Sequence, residues 1–219
     1  MALTLELRQI EVTPGNCLTL HHVSWAQFEE ILGEMGDDRS SRIAYYHGNL
    51  EIQMPSPEHK KAKILIGEFI KILLDELNLE WEPYGSTTFR REEMLAGIEP
   101  DDCFYIQNAR LMIGMRSLDL SVDPPPDLAI EIDVTSRTEI SAYTTLGVKE
   151  LWRYAHKNLQ ILLLQGQEYI EVENSPNFPD LPVREWILEF LEMSQIEISS
   201  VVRRRFRQRV QEQLSWNDI

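Results

Sequence analysis

The fold is indicated by residues 128–134, which read Leu-Ala-Ile-Glu-Ile-Asp-Val. An almost continuous apolar run of this length is typical of a central strand that is buried on both faces of a sheet. Glu131 and Asp133 are two residues apart, so in a strand their side chains point to the same face. Because an unpaired buried carboxylate is costly, such groups normally pair with a cation or bind a metal ion. The run therefore predicts a cation site on this strand.

A second pair of acidic residues lies at the start of another short strand. Asp101 and Asp102 follow Pro100 and precede the apolar residues 103–106. If this strand neighbours the first, three carboxylates reach one patch, and oxygen ligands of this kind suit Mg²⁺ or Mn²⁺. Such an ion activates water and stabilises a phosphodiester transition state. The alternative is that the acids form ion pairs with arginines. The candidates for that role are Arg90, Arg137 and Arg153.

Hydrophobic periodicity around these two strands predicts alternating helices and strands. The predicted helices cover 25–32 with Ser24 as N-cap, 58–77, Thr138–Leu146 and most of 183–213. The apolar stripe predicted for the second of these helices consists of Ile64, Leu65, Phe69, Leu73 and Leu77. The predicted strands cover 43–46, 50–54, 79–84, 86–91, 103–106, 128–134, 151–154, 159–164 and an edge strand at 169–172. This order indicates an α/β (α+β) arrangement around a mixed sheet.

Length and composition restrict the function class. The chain has 219 residues, 43% of them hydrophobic, which predicts a single domain over 1–219 with a helical extension over about 183–215. No apolar run approaches the roughly 20 residues that span a bilayer, and the N-terminus lacks signal-peptide features, so we expect no membrane partner and a cytoplasmic protein. The net charge of −15 argues against a general nucleic-acid binder. The basic run 203–209 is interpreted either as a phosphate contact or as a solvated, acid-paired helix face.

Four short motifs occur in an order that resembles a known family. They are Met54-Pro55-Ser56-Pro57-Glu58-His59, Glu99-Pro100-Asp101, Pro126-Asp127-Leu128-Ala129-Ile130-Glu131-Ile132 and Leu146-Gly147-Val148-Lys149-Glu150-Leu151-Trp152. Over residues of about 20–170 the chain resembles the Uma-two family of bacterial endonucleases, a branch of the PD-(D/E)xK nuclease superfamily. The resemblance implies a restriction-endonuclease-like core of helix, three-stranded meander, helix and strand.

The resemblance also implies site residues. Asp101 and Glu131 match the metal-binding acids of the second and third meander strands, and Glu58 or His59 lies close to them. Asp127 is only four residues before Glu131 and cannot lie on a separate strand, so Asp101 is the preferred partner.

One position departs from the family pattern. Where the superfamily has a lysine two residues after the second acid, this chain has Asp133. Asp133 is then a third metal ligand, or the site has lost its activity. The basic residues that could replace this missing lysine are Lys60, Lys61 and Lys63 on the long helix, with Lys149 and Arg137 as weaker candidates.

Two functions follow from these features. The first is a Mg²⁺- or Mn²⁺-dependent DNA endonuclease in which Asp101 and Glu131 bind the metal, Asp133 binds the metal or orients water, and Lys60 or Lys61 assists the transition state. The second is a catalytically inactive nuclease-fold protein that serves as a binding or assembly module. A homodimer is expected only by analogy with restriction-endonuclease-like proteins.

Overall fold

The computed structural model describes residues 9–36, 39–132 and 140–217 of the chain, and the side chains up to residue 215. Its helices are α1 Trp25–Met35, α2 Pro57–Glu76, α3 Ile140–Leu146, α4 Val183–Met193 and α5 Ser199–Asn217. Its strands are β1 Cys17–Leu20, β2 Arg42–Tyr46, β3 Asn49–Gln53, β4 Glu82–Pro83, β5 Phe89–Arg91, β6 Ala96–Ile98, β7 Asp102–Tyr105, β8 Leu128–Ile132, β9 Glu150–Ala155, β10 Asn158–Gln165 and β11 Glu168–Val172.

The larger sheet contains the predicted core of the fold. Its strand order is β11-β10-β9-β8-β7-β4. Strands β4, β7 and β8 are antiparallel neighbours, whereas β8 and β9 run parallel. Helix α3 lies between β8 and β9 in the chain, as a parallel connection requires. The order helix α2, meander β4-β7-β8, helix α3 and strand β9 confirms the predicted arrangement.

The smaller sheet was only partly predicted. Its order is β1-β3-β2-β6-β5, and β5 and β6 interrupt the meander between β4 and β7. Strand β6 was missed because its three residues, Ala96–Ile98, are too few to show periodicity. Helix α1 begins at the predicted Ser24, whose side chain accepts from the backbone of Gln27 in a capping box. It packs Phe28 against Tyr45 of this sheet, with ring centroids 4.8 Å apart.

Strand β8 lies in the centre of the larger sheet, and every residue of it is buried. One face packs against α2, α4 and α5 through a cluster that includes Phe69, Ile130 and Phe206. The other face packs against α3 through a cluster that includes Ala129 and Tyr143. Burial on both faces, predicted from the apolar run, is therefore confirmed.

Two sequence expectations for this region were wrong. Ile64 was placed on the buried stripe of α2, but its side chain is 62% exposed, because the stripe follows Leu65, Phe69 and Leu73. Strand β4 has two residues, Glu82–Pro83, instead of the expected six. The chain turns between α2 and this strand, where Asn78 adopts a left-handed conformation with φ 52°. None of the described helices is long and apolar enough to cross a membrane.

Candidate active site

The two predicted acids lie side by side at the junction of β7 and β8. Asp101 directly precedes β7, and its backbone N–H donates to the carbonyl of Ile130 at 3.0 Å. The backbone N–H of Ile132 donates to Oδ2 of Asp101 at 2.7 Å. Glu131 lies between these two residues of β8. The expectation that the two strands are neighbours is therefore confirmed.

A single arginine from the smaller sheet lies between the two carboxylates. Nη2 of Arg42 is 3.2 Å from Oδ2 of Asp101 and 3.0 Å from Oε1 of Glu131. Its guanidinium also donates to Oε1 of Gln53 at 2.8 Å and to the carbonyl of Glu99 at 3.2 Å. Arg42 and Gln53 are cross-strand partners in β2 and β3. The smaller sheet thus supplies a cation to the acids of the larger one.

Two further side chains orient the carboxylates. Nε2 of His59, in the first turn of α2, lies 2.6 Å from Oδ1 of Asp101. The helix begins at Ser56, whose hydroxyl accepts from the backbone N–H of His59, so the cap sets the position of the ring. The hydroxyl of Tyr143 in α3 donates to Oε2 of Glu131 at 2.6 Å.

The cluster is almost completely withdrawn from solvent. Exposure is 0% for Asp101 and His59, 1% for Glu131 and 6% for Arg42. Burial acts to lower the pKa of Arg42, but the nearby carboxylates of Glu131 and Asp101 outweigh it and hold that pKa above the ordinary value. Burial, and then the charge of Glu131, raises the pKa of Tyr143 well above its ordinary value. The guanidinium is therefore charged and the phenol neutral at physiological pH.

A second group of polar residues surrounds this centre. Arg39 donates to Oε2 of Glu99 at 2.5 Å, yet burial outweighs this contact and raises the pKa of Glu99. Nζ of Lys63 donates to Oγ of Ser86 at 2.6 Å, and that hydroxyl donates to the backbone carbonyl of Asp101 at 3.0 Å. Of the lysine candidates, Lys63 is thus linked to the site through one hydroxyl.

The structure separates the remaining predicted residues. Glu58 and Lys60 flank His59 in α2, but both side chains are exposed, whereas the carboxylates are buried. Nζ of Lys61 donates to the carbonyl of Ser194 at 2.5 Å, near the end of α4. Asp133, the predicted third ligand, and Arg137, a predicted ion-pair partner, lie outside the described residues.

Sequence reasoning missed Arg42 and Tyr143. Of the expected arginine partners, Arg90 pairs with Glu29 at 3.0 Å instead, and Arg153 is the register partner of Glu131 in the pairing of β8 with β9. The arginine that lies between the two acids is Arg42. A signal was present, because Arg42 opens the apolar strand Arg-Ile-Ala-Tyr-Tyr. A charged residue in a buried strand requires a partner, although the sequence does not say which.

Two other expectations were resolved by the structure. Asp127 accepts from the backbone N–H groups of Ile106 and Asn108 at 2.9 and 3.0 Å, so it holds a turn, and the preference for Asp101 is supported. The basic run of α5 is largely paired with acidic residues, as the second interpretation of that run expected. The pairs are Arg203–Glu68, Arg205–Glu197, Arg207–Glu76 and Arg209–Glu189.

The donor set fits a hard divalent cation in type and in number. Mg²⁺ usually binds through one or two carboxylates and completes its shell with water and substrate phosphate, and Asp101 and Glu131 are two carboxylates that already share one positively charged group. Within the described ranges no group of three or more His, Cys, Asp or Glu could hold a metal. Three buried nitrogens at the site, Nε of Arg42, Nε2 of Gln53 and Nδ1 of His59, make no hydrogen bond to a described residue, but the N–H groups of Arg42 and Gln53 are donors and cannot ligate a metal ion.

The two acids, one directly before β7 and one in β8, lie in the mixed α/β arrangement of α2, meander, α3 and β9 that the sequence motifs imply. Residues 25–194 match the family model described as "Uma2: Putative restriction endonuclease". The match covers more than half of the chain, and the protein therefore belongs to the Uma2 family.

Comparison with solved structures finds a similar crystal structure, described as "a putative nuclease belonging to DUF820" from Anabaena variabilis ATCC 29413. The identity is 14% and the TM-score 0.46, and the alignment covers 68% of this chain and 90% of the other. No curated protein matches the chain.

Proposed function

We propose that this protein is an endonuclease that hydrolyses phosphodiester bonds in DNA with the help of Mg²⁺ or Mn²⁺. The observation that carries the proposal is the convergence of Asp101 and Glu131, from adjacent strands, on one cationic group in a buried centre. Membership of the Uma2 family supports the same activity.

Asp101 and Glu131 would hold the metal ion in this proposal. When bound, such an ion supplies positive charge for the phosphoryl oxygens and lowers the pKa of a coordinated water. Asp133 stays the predicted third ligand, and Lys60, exposed next to His59, stays the predicted contact with the transition state.

The residues around the acids would act as positioning residues. Asp101 is fixed by the backbone N–H of Ile132 and by the ring of His59. Glu131 is fixed by the hydroxyl of Tyr143. Because each carboxylate is already oriented, little ordering is needed when a ligand arrives, which is the physical meaning of a preorganised site.

Access to the site requires a local rearrangement. The space beside Arg42, Gln53, Glu99 and Glu131 has a volume of about 10 Å³, which is room for about one water molecule. A phosphodiester does not fit there, so substrate reaches the acids only when the surrounding side chains move.

A cleavage assay tests the proposal. Purified protein should nick or linearise supercoiled plasmid in the presence of Mn²⁺ or Mg²⁺ but not of EDTA. Loss of an outer partner of a metal ligand typically costs about 10–100-fold, so Asp101→Asn and Glu131→Gln, which alter the ligands themselves, should each cost at least about 100-fold.

Glu150→Gln is the matched control. Glu150 is also a buried acid of the larger sheet, 2% exposed, but its carboxylate accepts from Trp152 and Asn177, away from the site. This variant should cleave like the wild type. Cleavage that survives both Asp101→Asn and Glu131→Gln would refute the assignment.

The second candidate is a binding or assembly module without catalysis. The pairing of Arg42 with both acids favours it, since two buried carboxylates that already share a cation need no metal ion to balance their charge. No cleavage of single- or double-stranded DNA by the folded protein with any divalent ion would favour this second function.

A further inference from the structure

We propose that Arg42 is a resident cation that competes with the divalent metal ion for the site, so that metal binding requires its guanidinium to be displaced. The inference rests on the proposed function in one respect, which is that Asp101 and Glu131 are the metal ligands. It adds a residue of β2, outside the family's acidic motifs, that sets how tightly the metal binds.

The first step of the argument is geometric. Nη2 of Arg42 is within hydrogen-bonding distance of one oxygen of each carboxylate, at 3.2 and 3.0 Å. An ion shared by the same two oxygens would lie about 2.0–2.1 Å from each if it were Mg²⁺. The ion and Nη2 of Arg42 would then occupy the same space between the two carboxylates. The two cannot bind at the same time with this geometry.

The second step concerns charge. A guanidinium keeps its proton under all physiological conditions, and the two carboxylates favour that state here. A divalent ion that entered beside it would meet a like charge at a few ångströms, in a cluster where every member is at most 6% exposed. Repulsion between charges is several times stronger at a buried position than in water. The charges therefore oppose joint occupancy.

The third step concerns the hydrogen bonds from Arg42 to neutral acceptors, because the side chain loses these bonds when it is displaced. Apart from the acids, it donates to the amide oxygen of Gln53 and to the carbonyl of Glu99. Its own Nε has no hydrogen-bond partner among the described residues. The surroundings of Arg42 thus balance its positive charge but leave its Nε without a hydrogen bond, and this favours its replacement by a divalent cation.

The test measures Mn²⁺ binding through stability, without any activity readout. Thermal unfolding of the full chain is followed over a range of Mn²⁺ concentrations for the wild type, Arg42→Gln and Arg184→Gln. A ligand that binds only the folded state raises the melting temperature by an amount that grows with the ratio of its concentration to its dissociation constant. Isothermal titration with Mn²⁺ alone gives the dissociation constant independently.

Arg42→Gln should be less stable than the wild type without metal, because two buried carboxylates lose their shared cation. It should gain more from Mn²⁺, with a dissociation constant at least about tenfold lower than that of the wild type. Adding Asp101→Asn to Arg42→Gln should remove the gain.

Arg184→Gln is the matched control, since Arg184 is also an arginine paired with a glutamate, Glu171, at 3.3 Å. Glu171 belongs to β11, three strands away from β8 in the larger sheet, so the loss of Arg184 should leave Mn²⁺ affinity unchanged. If Arg42→Gln is folded and binds Mn²⁺ no more tightly than the wild type, the inference is overturned. An equal gain in Arg184→Gln would overturn it as well.

If Arg42→Gln folds only when Mn²⁺ is present, the inference is supported directly. If it folds under no condition, Arg42→Lys decides the question. The shorter ammonium cannot bridge both acids as the guanidinium fork does, so Mn²⁺ should bind Arg42→Lys more tightly than the wild type, and unchanged binding contradicts the inference. Tight Mn²⁺ binding without cleavage in any variant would leave this inference standing and refute the endonuclease proposal alone.

Discussion

Replacing Phe206 by alanine should show that α5 belongs to the same cooperative unit as the site, although the family match ends at residue 194. Phe206 is 0% exposed. Its ring stacks on Phe69 of α2 with centroids 4.4 Å apart and contacts Phe190 of α4 edge-on at 5.2 Å. Because α2 also carries His59, the packing of α5 supports the helix that orients Asp101.

The magnitude follows from the burial. Truncation of a fully buried phenylalanine to alanine costs about 3–5 kcal/mol, through lost transfer energy and the cavity that remains. Taking about 4 kcal/mol, a chain of this size should lose about 8–16 °C in melting temperature. With a urea m-value of about 2 kcal/mol/M, the midpoint should fall by about 2 M.

Urea unfolding followed by both circular dichroism and tryptophan fluorescence measures the effect. The two signals should move together, because a single core cluster joins α2, α4, α5 and β8. Ile196→Ala is the control, since Ile196 lies between α4 and α5 but is 92% exposed, and it should change stability by less than about 0.5 kcal/mol. A loss below about 1 kcal/mol in Phe206→Ala, or two separate transitions, would refute the reasoning.

Three further variants test the packing and charges of the molecule. Tyr143→Phe removes the hydroxyl that donates to Glu131 at 2.6 Å and should cost about 1.5–3 kcal/mol in urea unfolding, as for a buried hydrogen bond to a charged group. Burial raises the pKa of Glu150 above its value in the unfolded chain. The protonated carboxyl therefore contributes its full stabilisation at acid pH, and this is lost as the pH rises through the folded pKa. Because glutamine does not titrate, the melting temperature of Glu150→Gln relative to the wild type should increase from pH 4 to pH 8. In Gly97→Ala the new Cβ would lie 2.9 Å from Cζ of Phe28, and thermal unfolding should show a loss of about 1–3 kcal/mol from overpacking.

Each of these has its own control or contradiction. Wild-type stability in Tyr143→Phe would mean that the hydroxyl does not hold Glu131. Parallel pH profiles for Glu150→Gln and the wild type would mean that the carboxyl is not destabilised by burial. For Gly97→Ala the matched change is Gly33→Ala in α1, where a Cβ meets nothing within 4 Å, and this variant should gain up to about 1 kcal/mol from helix propensity.

The sequence determined the local structure and the acidic pair, because both depend on short-range patterns. The apolar run at 128–134 predicts a strand buried on both faces, and the structure confirms this over Leu128–Ile132. Acids in or beside apolar strands were recognised because a charge there needs a compensating partner, and the resemblance to the family selected Asp101 and Glu131 among them. The order of elements indicated an α/β arrangement around a mixed sheet, and the resemblance to the Uma-two family implied the meander, the helix and the strand that follows it.

Only the tertiary structure decided what compensates those charges. Arg42 is 59 residues before Asp101 in the chain and belongs to the other sheet, so no spacing rule connects the two. His59, unlike its neighbours Glu58 and Lys60, reaches Asp101 because the cap at Ser56 sets the rotation of α2. Which side chain faces a buried charge depends on how sheets and helices pack, and that is a long-range property that local patterns do not contain.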